Sequence, residues 1–238
     1  MTEPSEQPRP RRRFDIPLAI GLTGAYAAFA ATFRGPREQF WQRMTATGAA
    51  LGTAALVAEP GLRSNTRFRF HEVALGVASA AGLYGVFRFG DRAARKIMPK
   101  GAEEIDEVYA LRALRPKNEI AARLALVIGP AEELFWRGFV LRRSQRRYGR
   151  WRGAAIAAVK YGGAHIVTGN ATLIGAATTA GAYWSALAAA GMPMGALIVS
   201  HVSWDIWIFL LQPTQPVGVA SEPHVPSRTV PSSPEHPG

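Results

Sequence analysis

The 238-residue chain has no cysteine. That excludes disulfides, thiol nucleophiles and thiolate metal sites, and it leaves oxygen and nitrogen groups to carry any chemistry. Acid is also scarce: 17 Asp and Glu stand against 28 Lys and Arg, a net charge of +11. Charge of either sign almost disappears between Gly153 and Leu211, where Lys160 and Asp205 are the only formally charged residues. No His-Glu-x-x-His occurs, since His71-Glu72 is followed by Leu75 where the second imidazole would have to stand. An internal repeat, the usual mark of secondary transporters, is missing as well, which weighs against a proton-coupled carrier.

What is present is apolar sequence in blocks. Hydrophobic residues make up 48% of the chain while the mean hydropathy is +0.00, so the average conceals the arrangement. Apolar stretches cover 14–33, 44–58, 73–87, 119–141, 153–167, 171–190 and 193–211. Arginines gather at their ends, as Arg9, Arg11, Arg12 and Arg13 and as Arg142, Arg143, Arg146, Arg147, Arg150 and Arg152. Basic residues flanking apolar segments mark loops facing anionic lipid, so the excess charge is assigned to membrane lipids and not to nucleic acid. The alternation of Arg67 and Arg69 with Phe68 and Phe70 fits an interfacial anchor.

These features predict an all-α fold, a polytopic transmembrane helical bundle of about seven spans with disordered termini. Residues 1–13 form a basic cytoplasmic tail, and 14–117 hold the first transmembrane helices and a charged interfacial segment beginning near Arg88. Residues 118–211 form a second transmembrane unit, with Asn118 capping its first helix, and 212–238 are a Pro/Ser-rich tail. Gly48 and Gly52 have the small-xxx-small spacing that lets helix backbones approach. Seven crossings from a cytoplasmic N-terminus place Arg142 to Arg152 on the cytoplasmic side, as the positive-inside rule asks, and place the mixed-charge segment from Arg92 to Lys117 on the other. The expected location is the cytoplasmic membrane.

Ionisable groups at bilayer depth are costly, so the few that remain mark the place for function. Glu132 and Glu133 adjoin within Gly-Pro-Ala-Glu-Glu-Leu-Phe-Trp-Arg-Gly-Phe. Glu133 and Arg137 are four apart and stack on one helix face, whereas Glu132 points about 100° away. One carboxylate is therefore a paired strut, and the other is available to water or ligand. The same spacing joins Tyr161 to His165 and His201 to Asp205, where a phenol or carboxylate one turn away can orient an imidazole. Each pair alone fits a structural clamp; three on successive helices point to one interior site. Glu103-Glu104 has Val108 in place of arginine, Asn170-Ala171-Thr172 is read as an incidental glycosylation match in a tight turn, and Trp204 and Trp207 as helix packing.

Glu-Glu-x-x-x-Arg, aromatic-x-x-x-His and His-x-x-x-Asp on successive apolar helices resemble the CPBP family, which includes CAAX prenyl proteases and is also called Abi. The resemblance runs from about 119 to 211. It implies an intramembrane endopeptidase hydrolysing a peptide bond of a membrane-associated protein or peptide. It also implies the roles: Glu132 as general base assisted by His165, with His201 and Asp205 stabilising the oxyanion and Glu133 and Arg137 completing the motif. Asp205 stands where CAAX-processing members have asparagine. An ionised aspartate cannot donate to an oxyanion, so Asp205 either carries a proton or orients His201. A metal-free glutamate mechanism is expected. The alternatives are a zinc enzyme using Glu132, His165 and His201, and a non-catalytic immunity or scaffold protein.

Overall fold

The computed structural model describes residues 14–97 and 101–211, and both predicted disordered tails lie outside them. Helix forms nearly throughout and no strand occurs among the described residues. The helices are α1 (Ile16–Phe33), α2 (Phe40–Ala58), α3 (Gly61–Asn65), α4 (Phe70–Ile97), α5 (Gly101–Tyr109), α6 (Lys117–Arg123), α7 (Gly129–Glu133), α8 (Arg142–Tyr148), α9 (Arg150–Ala164), α10 (Ala171–Ala190) and α11 (Met194–Asp205). Wider π-turns at Leu124–Ile128 and Leu134–Leu141 join α6, α7 and α8 into one rod, and a third, Ile206–Leu211, extends α11. The first has a cause in the sequence: Pro130 lacks an N–H and its ring would collide with the carbonyl one turn back, so the helix widens before it.

Three of these helices are long and apolar enough to cross a membrane: 16–33, 70–90 and 194–211. Of the about seven spans expected, three are long and apolar enough among the described residues. The others fall short for visible reasons: α2 carries Arg43 and three threonines, α9 has 15 residues, and Thr, Ser, Tyr and Trp dilute α10. Of the three apolar windows, 22% of the first, 22% of the second and 50% of the last are buried, so α11 is central while α1 and α4 lie at the periphery. Ile20, Val57 and Val159, each about two-thirds exposed, turn outward as lipid-facing side chains do.

Neighbouring rods run in opposite directions. Asp15, Glu59, Arg143 and Arg146 meet at one end through α1, α2 and α8. At the other, α5 lies against the start of α10, where the Glu104 carboxylate accepts from the Ala171 and Thr172 N–H groups at 3.3 and 2.8 Å and its backbone carbonyl accepts from Asn170 Nδ2. Asn170 Oδ1 in turn caps α10 by accepting from Leu173 N at 2.7 Å. The amide of the incidental glycosylation match is thus buried in a helix cap. The charged interfacial segment after 87 is largely helical: α4 continues to Ile97 and α5 follows. Asn118 is not a cap, because α6 begins at Lys117 after Pro116 and encloses it. The arginine-rich stretch from Arg142 is likewise helical, as α8 and the start of α9.

Lipid tails give apolar helices no net reason to associate, so shape and internal hydrogen bonds must hold the bundle. Gly52 supplies shape: a Cβ there would lie 2.9 Å from Ala131 Cβ, so α2 reaches α7 only because residue 52 has none. Across α7, Val202 of α11 packs against Gly129. The short α7 is therefore held between α2 and α11, and this fixes the glutamates it carries. Thr32 and Thr47 share a buried hydroxyl contact of 2.9 Å between α1 and α2, of a kind worth about 0.6 kcal/mol on average.

Candidate active site

Glu132 and Glu133 are 5% and 0% exposed, and their side chains leave α7 towards different helices. The Tyr161 hydroxyl of α9 donates to Glu132 Oε2 at 2.9 Å. Glu133 Oε1 lies 3.0 Å from Arg137 Nη1 and accepts from His201 Nδ1 of α11 at 2.7 Å. The divergence expected from helix geometry is present, with one carboxylate bound to a neutral phenol and the other to a cation and an imidazole. Two details differ from the sequence reading. Tyr161 spends its hydroxyl on Glu132 and hydrogen-bonds His165 through its backbone carbonyl instead, so Glu132 is oriented by a partner and is not unclamped. Glu133 pairs across to α11 as well as along its own rod.

Arg137 is 2% exposed, and its approach to Glu133 is an ion pair without hydrogen-bond alignment: none of its three guanidinium nitrogens has a hydrogen-bond partner. What holds it is a pair of rings. The guanidinium carbon sits 4.8 Å from the Tyr161 ring centre and 5.2 Å from that of Trp184, an arrangement favourable for a cation shielded from water. Gly181 makes room for this, since a Cβ there would come 2.7 Å from Tyr161 Cδ1.

His201 is 3% exposed and stacks on Trp184 at 4.1 Å with an 18° tilt. Its Nδ1 donates to Glu133, which leaves Nε2 facing Asp205 Oδ2 at 3.5 Å, an ionic contact one turn away. His165, 7% exposed, ends α9. A carbonyl can only accept, so the 3.1 Å contact with Tyr161 O sets Nδ1 as the protonated nitrogen and Nε2 as the acceptor. Phe29 and Tyr161 stand edge-on to the imidazole at 5.3 and 5.2 Å, and Phe33 lies 5.9 Å away.

All six residues singled out from the sequence therefore lie buried or half-buried in the interior, and Tyr161 and Glu133 link them. Sequence reasoning missed the supports. Trp184 N–H donates to Ser200 Oγ at 3.0 Å, Ser200 shares a contact of 3.0 Å with Ser79 of α4, and Phe29 and Phe33 come from α1. In an apolar helix a tryptophan or phenylalanine reads as core, so only the adjacency of Ser200 to His201 hinted at a role. Trp204 and Trp207 do pack: Trp204 against Trp184 and Phe87, Trp207 stacked on Tyr84. For the zinc alternative, no three His, Asp or Glu side chains among the described residues converge in a way that could hold a metal ion.

The comparison with known families falls on this part of the chain. Residues 119–207 match the Rce1-like family of type II CAAX prenyl endopeptidases. This bears out the CPBP resemblance, and the Rce1-like segment spans all three motifs, from the start of the rod that carries Glu132 to just beyond Asp205. The match points to a membrane endopeptidase of the CAAX protease type, with a protein or peptide substrate, and the spanning-capable helices agree with a membrane protein. No curated protein and no solved structure matches the chain. Phe29, Phe33 and Ser79 lie outside the Rce1-like segment, so helices before it supply part of the surroundings of His165 and His201.

Proposed function

We propose that the protein is an intramembrane endopeptidase of the cytoplasmic membrane that cleaves a peptide bond of a membrane-associated chain with water activated by Glu132. The observation that carries this reading is the asymmetry of the two adjacent carboxylates. Glu133 is occupied by Arg137 and His201, while Glu132, equally buried, holds only a neutral phenol on Oε2. A structural clamp needs one acid; a second, oriented by the uncharged hydroxyl of Tyr161, whose backbone carbonyl also fixes His165, fits a base.

In this mechanism Glu132 takes a proton from water and His165 Nε2 accepts from the same water. The hydroxide oxygen bonds to the scissile carbonyl carbon, and the carbonyl electron pair moves to oxygen. His201 Nε2, when it carries a proton, donates to that oxyanion, and Asp205 orients the ring from 3.5 Å. As the C–N bond breaks, Glu132 passes its proton to the leaving amine, which closes the proton balance. Glu133, Arg137 and Trp184 act by positioning: they fix His201 and the rod that carries Glu132.

The decisive experiment compares wild-type and Glu132→Gln protein in proteoliposomes and in the membrane proteome of producing cells, with a farnesylated C-terminal peptide as one probe. Cleavage that disappears in the variant while the melting temperature holds supports the reading. Undiminished cleavage ends the base assignment, and no cleavage product from either protein favours the scaffold alternative. A zinc version predicts loss of activity on exhaustive chelation; the metal-free version predicts that activity persists.

A further inference from the structure

A cavity of about 500 Å³ opens at the arginine-rich end of the bundle, lined by Arg142, Gln145, Arg146, Arg150, Ala188 and Ala189. Its charged lining is three guanidinium groups with no carboxylate, and the Gln145 amide is its only uncharged polar side chain. Arg146 is already neutralised, since it bonds Glu59 Oε1 at 2.6 Å, and the Gln145 amide donates to Arg150 O. Arg142 and Arg150 have no ion pair with an acid among the described residues. The Ala189 carbonyl at the C-terminal end of α10 would repel an anion, but Arg150 Nε donates to it. That leaves the two Nη groups of Arg150 as a fork. The cavity also adjoins the start of α9, a 15-residue helix whose cap, Gly149, brings no side chain to its first N–H groups.

We propose that this cavity binds a phosphate-bearing anion, which in the membrane is the headgroup phosphate of an anionic lipid. Planar forks match phosphate oxygens two at a time, and guanidinium groups without a counter-charge gain most from such a ligand. A helix start adds the positive end of its dipole. Two features favour a lipid over free phosphate. The alanine floor is apolar. Trp151, next in sequence to Arg150 and 59% exposed, begins an outward stripe continuing through Ala155 to Val159, 67% exposed, along which an acyl chain can lie. The site is independent of the hydrolytic reading, because no lining residue belongs to the candidate active site.

The test uses the full-length protein in mixed micelles of phosphatidylglycerol and phosphatidylcholine, with retained lipid counted by native mass spectrometry. Wild type should retain phosphatidylglycerol preferentially, and Arg142→Gln/Arg150→Gln should bind it roughly tenfold more weakly. Arg142→Lys/Arg150→Lys, which keeps charge and loses the forks, should fall between and decides the matter if the glutamine protein does not fold. Arg37→Gln/Arg63→Gln, exposed arginines outside the cavity, should retain lipid as wild type does. A second arm titrates inorganic phosphate against chloride of equal ionic strength and follows the melting temperature. Stabilisation by phosphate, lost in the cavity variants and without lipid preference, supports the same anion site with free phosphate as its source. Unchanged binding in the cavity variants in both arms, or an equal loss in the Arg37/Arg63 control, overturns the proposal.

Discussion

Two arginine–carboxylate clusters in this molecule use the same residue types and arrive at opposite arrangements. At the end of the bundle, Arg143 and Arg146 donate to Asp15 and Glu59 over 2.6 to 3.3 Å, all half-buried or exposed, and so tie α1, α2 and α8 together. In the interior, Arg137 faces Glu133 without donating to it and is held by ring faces, while the carboxylate donor contact goes to His201. The difference follows from water. Where solvent can satisfy the remaining lone pairs, direct hydrogen bonds set the geometry. In a dry interior every charge must be shared among fixed neighbours, and an orientation useful to a third group can prevail.

The largest expected effect sharpens the contrast between the two glutamates. Glu132→Gln should lower kcat by about 10²- to 10⁴-fold with little change in melting temperature, measured on the purified protein. Glu133→Ala should act on the fold, since it leaves Arg137 buried without its counter-charge. A destabilisation of about 3 to 5 kcal/mol should appear as a lower unfolding midpoint, and a Glu133→Ala protein as stable as wild type would dissolve the distinction. Trp184→Ala removes the ring that both His201 and Arg137 rest on; about 3 kcal/mol of stability should be lost. Trp184→Phe should restore stability more than kcat, because it keeps a stacking face but not the donor to Ser200.

The smaller effects lie outside the core. Glu104→Ala takes the carboxylate from the start of α10 and should cost about 1 kcal/mol, with faster amide exchange in 170–173. The end cluster should give the protein an acid-labile component. Burial pushes the Glu59 and Asp15 carboxyls up, but hydrogen bonds and charges from Arg146 and Arg143, with the Leu18 N–H at Asp15, outweigh it and hold both below their ordinary 4.5 and 3.8. Their contribution is therefore complete above those values and is lost as pH falls through the depressed ones. Melting temperature should drop as pH falls below about 4.5, and Glu59→Gln should flatten that drop while leaving the Glu132 phenotype untouched.

Particular residues show how far the sequence could be read. Helix periodicity separates Glu132 from Glu133 before any coordinates exist, because 3.6 residues per turn dictates it. The small-xxx-small spacing of Gly48 and Gly52 is local in the same way, and 171–190 was legible as a helix from its Asn and Gly borders. What periodicity cannot supply is the partner across a gap. The hydroxyl of Tyr161 could serve His165, its neighbour in the same helix, or Glu132, twenty-nine residues away; only the packing of α9 on the Glu132 rod chooses. The ends of α4 and α6 were misjudged for a related reason: Arg88 and Asn118 look like boundaries, yet α4 runs on to Ile97 and α6 starts at Lys117.

By itself the sequence determined a helical membrane protein with three polar pairs in its apolar second half, because solvation costs restrict where charge can lie and helix geometry fixes which neighbours stack. The tertiary structure alone decided that His201 answers to Glu133, that Arg137 rests between Tyr161 and Trp184, and that α1 and α4 close the surroundings of the imidazoles. Those contacts join residues far apart in the chain, and their geometry depends on how closely whole helices approach.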